Sequence, residues 1–402
     1  MPHSRHRHLS ALIQKTARFS PLVGVFGHRQ VGKTHLAHLI SEASGGAYVT
    51  LDQRLELDAA ERDPDGFLRR HHEKGINTLD ECQLSPALFP ALKDWVRVHP
   101  RPGQFLLTGS VRFSSRRQIR ESLAGRLISW ELLPMDLSES HGHPLPDRIP
   151  RLLSSKPFDM DLKPARYATV AAFDLAMQQG GLPGIFSVRS AAVRAQRFDT
   201  ILDAVLARDL RLLIQTSLGY PQLRSLLESL ALRQGLPLEY AELTRRSRIS
   251  VPTLKKLISA FESMFLIRQV PTVGTDKKPV IFFEDQGEAT HLHENRVQPL
   301  ERLTAFLYSQ LRAQAHYRPE LAIRIFQFRN RGGALIPLCF RQGDRALGII
   351  PFLEETPPLM FLPAARSFLQ KFRHARVVFT GPHARDRMIQ DSMRVLNFNQ
   401  LL

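Results

Sequence analysis

The sequence predicts an α/β fold with a doubly wound parallel sheet in the N-terminal third of the chain. Between residues 21 and 134, short apolar runs alternate with segments of helical period, and a glycine-rich turn follows the first run. The runs read LVGVFG, AYVTLD, INTLDE, QFLLTGS and LISWELLP, with helix candidates at 35–44 and 86–98. Five strands joined by crossovers predict a nucleotide-binding domain of this architecture.

The composition is that of a globular protein with two or three domains. Of 402 residues, 43% are hydrophobic and 23% are charged, which excludes wholesale disorder. Cys82 and Cys339 are the only cysteines, so a disulfide framework is excluded and a reducing compartment is favoured. No run approaches the ~20 apolar residues of a membrane span, and the opening MPHSRHRHLS lacks the apolar stretch of a secretory signal. We therefore expect a cytoplasmic protein with no membrane partner.

Basic residues outnumber acidic residues, and the formal net charge is +17. This balance favours a polyanionic partner such as nucleic acid or an acidic membrane surface. Net charge concerns association and not fold, so it assigns no site by itself.

The strongest motif is GHRQVGKT, which fits G-x-x-x-x-G-K-[ST] between the first strand and a helix. Glycines let the backbone curl so that N–H groups and the helix N-terminus face phosphate oxygens. Lys33 is predicted to neutralise the β- and γ-phosphates, and the Thr34 hydroxyl to ligate Mg²⁺. A chance turn is the alternative, which the strand–loop–helix context disfavours. The predicted nucleotide-binding residues are Gly27, His28, Arg29, Gln30, Val31, Gly32, Lys33, Thr34 and His35.

Another apolar strand ends in the acidic pair Asp80 and Glu81. Asp80 is predicted to hold Mg²⁺ through water, and Glu81 to polarise a water for attack on the γ-phosphate. A solvated acidic pair is the alternative, but the preceding phosphate loop favours hydrolysis. The sequence contains nothing resembling the Asn-Lys-x-Asp guanine reader, so ATP is preferred to GTP.

QFLLTGS places Thr108 and Ser110 at the end of a strand that is expected beside the Asp80 strand. A hydroxyl there would orient the attacking water or the γ-phosphate, although Thr-Gly-Ser is equally common turn chemistry. Downstream, Arg126 is predicted as an arginine finger for a neighbouring subunit or as a phosphate sensor. A solvated helix surface is the alternative for all arginines of this stretch. The others are Arg112, Arg116, Arg117 and Arg120.

In order and spacing, these segments resemble the predicted AAA+ ATPases of bacteria and archaea whose second half is an uncharacterised conserved domain. The matching segments of the first half are GHRQVGKT, YVTLDQ, DPDGF, LDECQLSPALFPALKDWV, FLLTGS and SLAGR. Those of the second half are GGLPGIF, LARDL, RSRISVPTLKKLISAFESMFLIRQV, KKPVIFFEDQG and HENRV, so the resemblance covers residues 22–311. It implies that Ser110 takes the sensor position. It also implies ATP binding and hydrolysis by Gly27, Gly32, Lys33, Thr34, Asp80 and Glu81.

The segment from 239 to 270 has the pattern of helix, short turn, helix and strand, which suits a helix-turn-helix with a wing. Ser250 is a candidate N-cap and Pro252 suits a first helical turn. The apolar stripe of the second helix comprises Leu254, Leu257, Ile258, Phe261 and Phe265. Protein contacts or packing against the ATPase core are the alternative to DNA binding. The predicted contacts with double-stranded DNA, chiefly to phosphates, are Arg245, Arg246, Arg248, Thr253, Lys255 and Lys256.

In many relatives in that family, the C-terminal part resembles a restriction-endonuclease-like fold with a helical carboxylate, an Asp on one strand and Glu-x-Lys on the next. Glu294 would be the helical carboxylate. The two strands read GGALIPLCF and RALGIIPFL and lack the other groups, while Asp344 lies between them and Glu354 and Glu355 follow. Nuclease activity is therefore not expected, and the region is predicted as a degenerate version of that fold.

We thus expect an ATP- and Mg²⁺-dependent AAA+ ATPase whose nucleotide cycle controls a partner. Duplex DNA is one candidate partner, and a protein partner or self-association without nucleic-acid binding is the alternative. Residues 136–165 are rich in Pro, Ser and His without an apolar period. The predicted divisions are a basic extension at 1–20, the ATPase core at 21–135, a linker or insertion at 136–165, a helical lid at 166–220, a winged-helix region at 221–275 and the degenerate nuclease-like domain at 276–402.

Overall fold

A computed structural model describes residues 5–112, 123–293, 296–330 and 332–402. The predicted candidates Arg116, Arg117, Arg120 and Glu294 lie outside these ranges. The chain divides into two compact units, each built from more than one stretch of sequence. The first unit comprises Met1–Pro134, Leu182–Gly184 and Ser263–Leu266, and the second comprises Met135–Gly181, Ile185–Glu262 and Ile267–Leu402.

The first unit contains a five-stranded sheet in which every neighbouring pair is parallel, in the order β2-β3-β4-β1-β5. The strands are β1 (Leu22–Gly27), β2 (Tyr48–Thr50), β3 (Asn77–Asp80), β4 (Phe105–Gly109) and β5 (Leu127–Leu132). The helices are α1 (Leu9–Ala17), α2 (Lys33–Ser44), α3 (Arg54–Arg62), α4 (Pro64–Arg70) and α5 (Leu88–Val98). The predicted α/β fold with a parallel sheet is confirmed for this unit.

The central strands are buried throughout because their sequences are almost entirely apolar. Every residue of β1 and of β4 is buried, as expected for strands covered on both faces. Parallel strands place their carboxyl ends at one edge of the sheet. This edge holds the glycine-rich loop after β1, Glu81 after β3 and Ser110 after β4. The expectation that the Ser110 strand lies beside the Asp80 strand is confirmed.

The second unit contains most of the helices. They are α6 (Leu137–Ser140), α7 (Arg148–Leu153), α8 (Val170–Gln179), α9 (Ala191–Ala204), α10 (Leu210–Leu213), α11 (Tyr220–Ala231), α12 (Tyr240–Ser247), α13 (Val251–Ser263), α14 (Gln286–His293), α15 (Pro299–His316) and α16 (Leu362–Lys371). A π-helical turn at Val205–Asp209 joins α9 to α10. Of the helices that the structure describes, none combines the length and apolar character that a membrane crossing requires.

Two sheets complete the second unit. In the smaller sheet, β6 (Ile267–Val270) pairs antiparallel with β8 (Val280–Phe283). The larger sheet is mixed, in the order β13-β14-β12-β11-β10-β9-β7. Its strands are β7 (Thr272–Gly274), β9 (Arg324–Arg329), β10 (Leu335–Gln342), β11 (Arg345–Pro351), β12 (His374–Gly381), β13 (Arg387–Gln390) and β14 (Met393–Asn397).

Residues 136–165 are packed into the second unit. They contain α6 and α7, and Ile149, Leu152 and Leu153 of α7 are buried in the same apolar core as Phe306 of α15. Whether these residues are a linker or an insertion stays a prediction. The predicted boundaries after residues 165, 220 and 275 all lie within the second unit and stay predictions.

Candidate functional site

The loop between β1 and α2 curls as a phosphate-binding loop requires. Gln30 and Gly32 have positive φ values of 60° and 99°, and Gly32 is the N-cap of α2. Gly27 is needed because a Cβ at this position would lie 2.4 Å from the carbonyl oxygen of Leu132. The first N–H groups of α2 have no partner within the helix, so the loop ends in a group of donors suited to an anion.

Lys33 is folded back into this loop. Its side chain is buried, and Nζ donates to the carbonyl oxygens of Gly27 at 3.1 Å and His28 at 3.0 Å. Phosphate oxygens accept charge-assisted hydrogen bonds that are stronger than those of neutral carbonyls. The ammonium group therefore lies where a bound phosphate would replace the carbonyls as its partner.

The Asp80 carboxylate accepts hydrogen bonds from three hydroxyls. Thr34 Oγ1 donates to Oδ2 at 2.8 Å, and Tyr48 Oη donates to the same oxygen at 2.7 Å. Thr108 Oγ1 donates to Oδ1, which also accepts the backbone N–H of Glu81 at 3.2 Å. Burial and the hydrogen bond to Asp80 raise the pKa of Tyr48, so this hydroxyl stays a donor at neutral pH. The two residues predicted to hold Mg²⁺, Thr34 and Asp80, are thus in direct contact.

Glu81 has a left-handed backbone, with φ of 54°, which is uncommon for residues other than glycine. Its Oε2 accepts a hydrogen bond from Gln83 Nε2, and Ser110 Oγ lies 3.5 Å from the same oxygen. Unusual backbone conformations of this kind cluster at active sites. The ends of β3 and β4 therefore bring the predicted base Glu81 and the predicted sensor Ser110 together.

The phosphate loop, Tyr48 and Glu81 border a cavity of about 610 Å³, within the range of small-ligand sites. Its lining residues are Arg29, Gln30, Gly32, Lys33, Thr34, His35, His38, Tyr48, Glu81, Pro183 and Gly184. The predicted residues Gly27, His28, Val31, Asp80 and Ser110 do not line the cavity, and all five are buried.

Four lining residues were not assigned to the site from the sequence. His38 lies on α2, and its ring centre is 5.2 Å from that of Tyr48 on β2. Pro183 and Gly184 come from the GGLPG segment, far along the chain. The sequence indicated a strand at Tyr48 and a family resemblance at GGLPGIF, but neither observation indicates proximity to the phosphate loop.

Arg7 supports the phosphate loop from the segment predicted to be a basic extension. Its guanidinium is buried and donates from Nη1 to the Val31 carbonyl oxygen at 2.6 Å and from Nη2 to the Leu133 carbonyl oxygen at 2.6 Å. Arg7 thereby ties the loop to the chain that follows β5. No motif in the opening residues signals this contact.

Arg126 lies at the edge of the sheet opposite the phosphate loop. It precedes β5, whose first residue pairs with the first residue of β1. The six residues of β1 span about 20 Å at ~3.3 Å per residue, which separates Arg126 from the cavity. This separation favours a finger role toward a neighbouring subunit over a phosphate-sensor role, and both roles of Arg126 stay predictions. Arg112 lies at the same edge as the cavity, where it pairs with Glu131 at 3.1 Å and stacks on Phe265.

The residues predicted to contact DNA lie on α12, on α13 and between them. Arg245, Arg246, Arg248, Lys255 and Lys256 are exposed, and Thr253 is half-buried. Arg246 also pairs with Glu242 at 3.0 Å. The predicted apolar stripe is buried, and its members on α13 are Leu254, Leu257, Ile258 and Phe261. Phe265 was predicted on the same stripe, but it lies beyond the end of α13 with a left-handed backbone and is buried in the core of the first unit.

In the C-terminal region, β10 and β11 contain no carboxylate. Asp344 lies in the turn between them, Glu354 and Glu355 follow β11, and all three are exposed. Within the described ranges, no group of three or more His, Cys, Asp or Glu residues is placed to hold a metal ion.

Comparison with protein-family models gives two matches. Residues 20–141 match a model described as an AAA domain, and residues 170–298 match one described as a domain of unknown function. The N-terminal stretch is therefore similar to an AAA domain, which supports the expectation of a P-loop ATPase core for that part of the chain.

Similar proteins include uncharacterized proteins of Mycobacterium tuberculosis and Mycobacterium bovis, each 27% identical over 70% of the chain. The chain spans 58% of the length of these relatives. Similar solved structures include a Walker-type ATPase of Pyrococcus abyssi, with 15% identity, a TM-score of 0.39 and coverage of 70% of this chain and 94% of that one. A STAND signal transduction ATPase of Pyrococcus horikoshii has 15% identity, a TM-score of 0.28 and coverage of 77% and 47%.

Proposed function

We propose that the chain binds ATP in the cavity at the end of β1 and hydrolyses it to ADP and phosphate. The observation that supports this most directly is the 2.8 Å hydrogen bond between Thr34 and Asp80, because it joins the phosphate loop to the acidic strand end. Lys33 and Glu81 line the same cavity. A phosphate cradle, a carboxylate for the metal and a residue that positions water are the recurring parts of phosphoryl transfer to water.

Each residue has a separate role in this proposal. The loop N–H groups and Lys33 bind the β- and γ-phosphates, and Glu81 takes the proton of the attacking water while Ser110 keeps its carboxylate oriented. Thr34 and Asp80 supply hydroxyl and carboxylate oxygens, the ligands that Mg²⁺ prefers. When bound, Mg²⁺ neutralises charge that develops on the transferred phosphoryl group.

Phosphate release without any added acceptor tests hydrolysis against a kinase reaction. Glu81→Gln should lower turnover about 10²- to 10⁴-fold with ATP binding retained, as for loss of a general base. Lys33→Ala should abolish both binding and turnover. Glu61→Gln, an exposed residue of α3, is the matched control and should be neutral. ATP binding that survives Lys33→Ala would contradict the assignment of this cavity.

For the partner, we propose duplex DNA, contacted by the second unit in a nucleotide-dependent way. Three helices, α11, α12 and α13, precede the antiparallel pair β6 and β8, and Pro237 bridges to Val280 of β8. This order supports a helix-turn-helix with a wing. The exposed arginines and lysines of α12 and α13 are suited to phosphate contacts.

A charge-reversal experiment tests DNA binding. Arg245, Arg246 and Lys255 are changed together to Glu, and affinity for duplex DNA is measured over a range of salt concentrations. We expect weaker binding and a salt slope lower by about one per lost phosphate contact. Equal reversal of Arg54, Arg62 and Lys93, which are exposed in the first unit, is the control.

The alternative is a switch that acts on a protein partner without nucleic acid. Absence of DNA binding even at low salt would favour it over the DNA proposal. It predicts a stable complex that depends on ATP and is lost in Lys33→Ala. ATP turnover measured with and without DNA separates the two, since only the DNA proposal expects stimulation.

A further inference from the structure

A second cavity lies in the second unit, between the first turn of α15, the start of β10 and the end of β11. Its volume is about 370 Å³, at the lower end of the range for small-ligand sites. Most of its wall is apolar and includes Leu300, Leu335, Pro337 and Ile350. Met360, which is 77% exposed, also lines the cavity. An exposed methionine beside an apolar recess is typical of a binding surface.

Three polar side chains line this cavity, and one of them, Thr304, already donates to the Leu300 carbonyl oxygen. Glu301 lines the cavity from the first turn of α15, where the helix dipole favours a negative charge. Among the described residues, none forms an ion pair or hydrogen bond with its carboxylate. Gln234 also lines the cavity, is 2% exposed, and its Nε2 has no partner in the described structure. Buried donors without partners are rare in native structures, so this amide calls for an acceptor.

The cavity lies beside the two strands that we predicted to belong to a degenerate nuclease-like fold. β9, β10 and β11 form an antiparallel meander after α15, and the positions nearest the cavity on β10 and β11 are Leu335, Pro337, Ile350 and Pro351. These side chains can neither ligate a metal ion nor bind a phosphodiester. An apolar wall instead favours a ligand with little negative charge.

We propose that this cavity binds a small amphipathic cation. The ligand has a compact apolar body for the wall, an ammonium or guanidinium group for Glu301, and one hydrogen-bond acceptor for Gln234 Nε2. This site is separate from the nucleotide cavity and does not depend on ATP hydrolysis. The negative charge of Glu301 selects for a cationic ligand, and the apolar space beside Leu335 selects for the size of its apolar body.

Titration calorimetry with two dansyl compounds tests the proposal. Dansylcadaverine carries an apolar fluorophore and an ammonium group, whereas dansylglycine carries the same fluorophore and a carboxylate. We expect saturable 1:1 binding of dansylcadaverine, about tenfold tighter than dansylglycine, as one partly buried ion pair provides. Glu301→Gln should remove this preference, and Glu320→Gln, an exposed glutamate outside the cavity, should retain it.

A second pair of variants tests the apolar volume. Leu335→Trp partly fills the cavity and should weaken binding of both compounds. Leu353→Trp is the matched control, because Leu353 is similarly exposed, 36% against 39%, and does not line the cavity. Thermal unfolding verifies that each variant is folded. The proposal would be overturned if the folded wild-type chain showed no saturable binding of dansylcadaverine. It would also be overturned if binding were unchanged in both Glu301→Gln and Leu335→Trp.

Discussion

Tyr48 holds one side of the Asp80 carboxylate, on the oxygen that Thr34 also contacts. If Thr34 held Mg²⁺, Tyr48 would be the remaining hydroxyl donor to that oxygen. We therefore expect Tyr48→Phe to raise the Mg²⁺ concentration needed for half-maximal ATP turnover by about tenfold or more. A hydrogen bond to a charged group contributes about 1.5–3 kcal/mol.

The matched measurement for Tyr48→Phe is ATP binding in EDTA, which should not change because the phosphate loop is intact. Tyr240→Phe, on α12, is the control variant. An unchanged Mg²⁺ requirement in Tyr48→Phe would show that Tyr48 does not position Asp80.

Arg7 fixes the phosphate loop through two backbone carbonyls. Arg7→Met leaves both acceptors without this donor, at a cost of about 1–3 kcal/mol for each unsatisfied group. We expect a lower unfolding temperature and weaker ATP binding, measured by calorimetry. Arg5→Met removes an exposed arginine two residues away and should leave both quantities unchanged.

At the residue scale, local motifs predicted Lys33, Thr34, Asp80 and Glu81, because each lies in a short pattern with its own chemistry. Tyr48 and Arg7 were not predictable in this way. Their hydrogen-bond partners depend on the order of the strands and on contacts between residues far apart in sequence. No short sequence motif indicates such contacts.

Glu284 joins three elements of the second unit. Its side chain is 1% exposed, and it pairs with Arg268 of β6 at 2.9 Å and with Arg312 of α15. Glu284→Gln keeps the shape but removes the negative charge that pairs with the buried Arg312 and the half-buried Arg268. We expect a loss of about 3–5 kcal/mol in unfolding free energy, measured in urea. The exposed Glu320→Gln should be neutral, and a similarly small change in Glu284→Gln would contradict this role.

At the element scale, long apolar runs and a clear stripe were sufficient to predict β1 to β5 and the buried face of α13. Residues 136–165 were harder to interpret, because α7 is only six residues long and proline and histidine surround it. A helix of this length shows too few turns for a period to emerge. Its burial depends on α15, which lies far along the chain.

The stability of the whole molecule should depend on pH through His293. Burial lowers the pKa of His293 to about 4, whereas an unfolded histidine titrates near 6.5. Below pH 6.5 the unfolded chain binds a proton that the folded chain does not, so stability present above this pH is lost as the pH falls toward 4. The shift corresponds to at most about 3 kcal/mol.

Urea unfolding of the wild-type chain at pH 7 and pH 5 measures this dependence. His293→Leu should reduce the difference between the two pH values, even if the variant is less stable at both. Replacement of the exposed His99 by Leu is the control. If the pH dependence of stability were the same in His293→Leu as in the wild-type chain, groups other than His293 would be responsible for it.

The segment 182–184 belongs to the first unit, although the chain on both sides of it belongs to the second. Pro183 and Gly184 line the nucleotide cavity. Any displacement of this segment when nucleotide binds is therefore transmitted through peptide bonds in both directions, toward α8 and toward α9. Because the connection is covalent, nucleotide binding can affect α8 and α9 without any additional non-covalent contact. It also means that a fragment ending at residue 134 would lack part of the cavity wall.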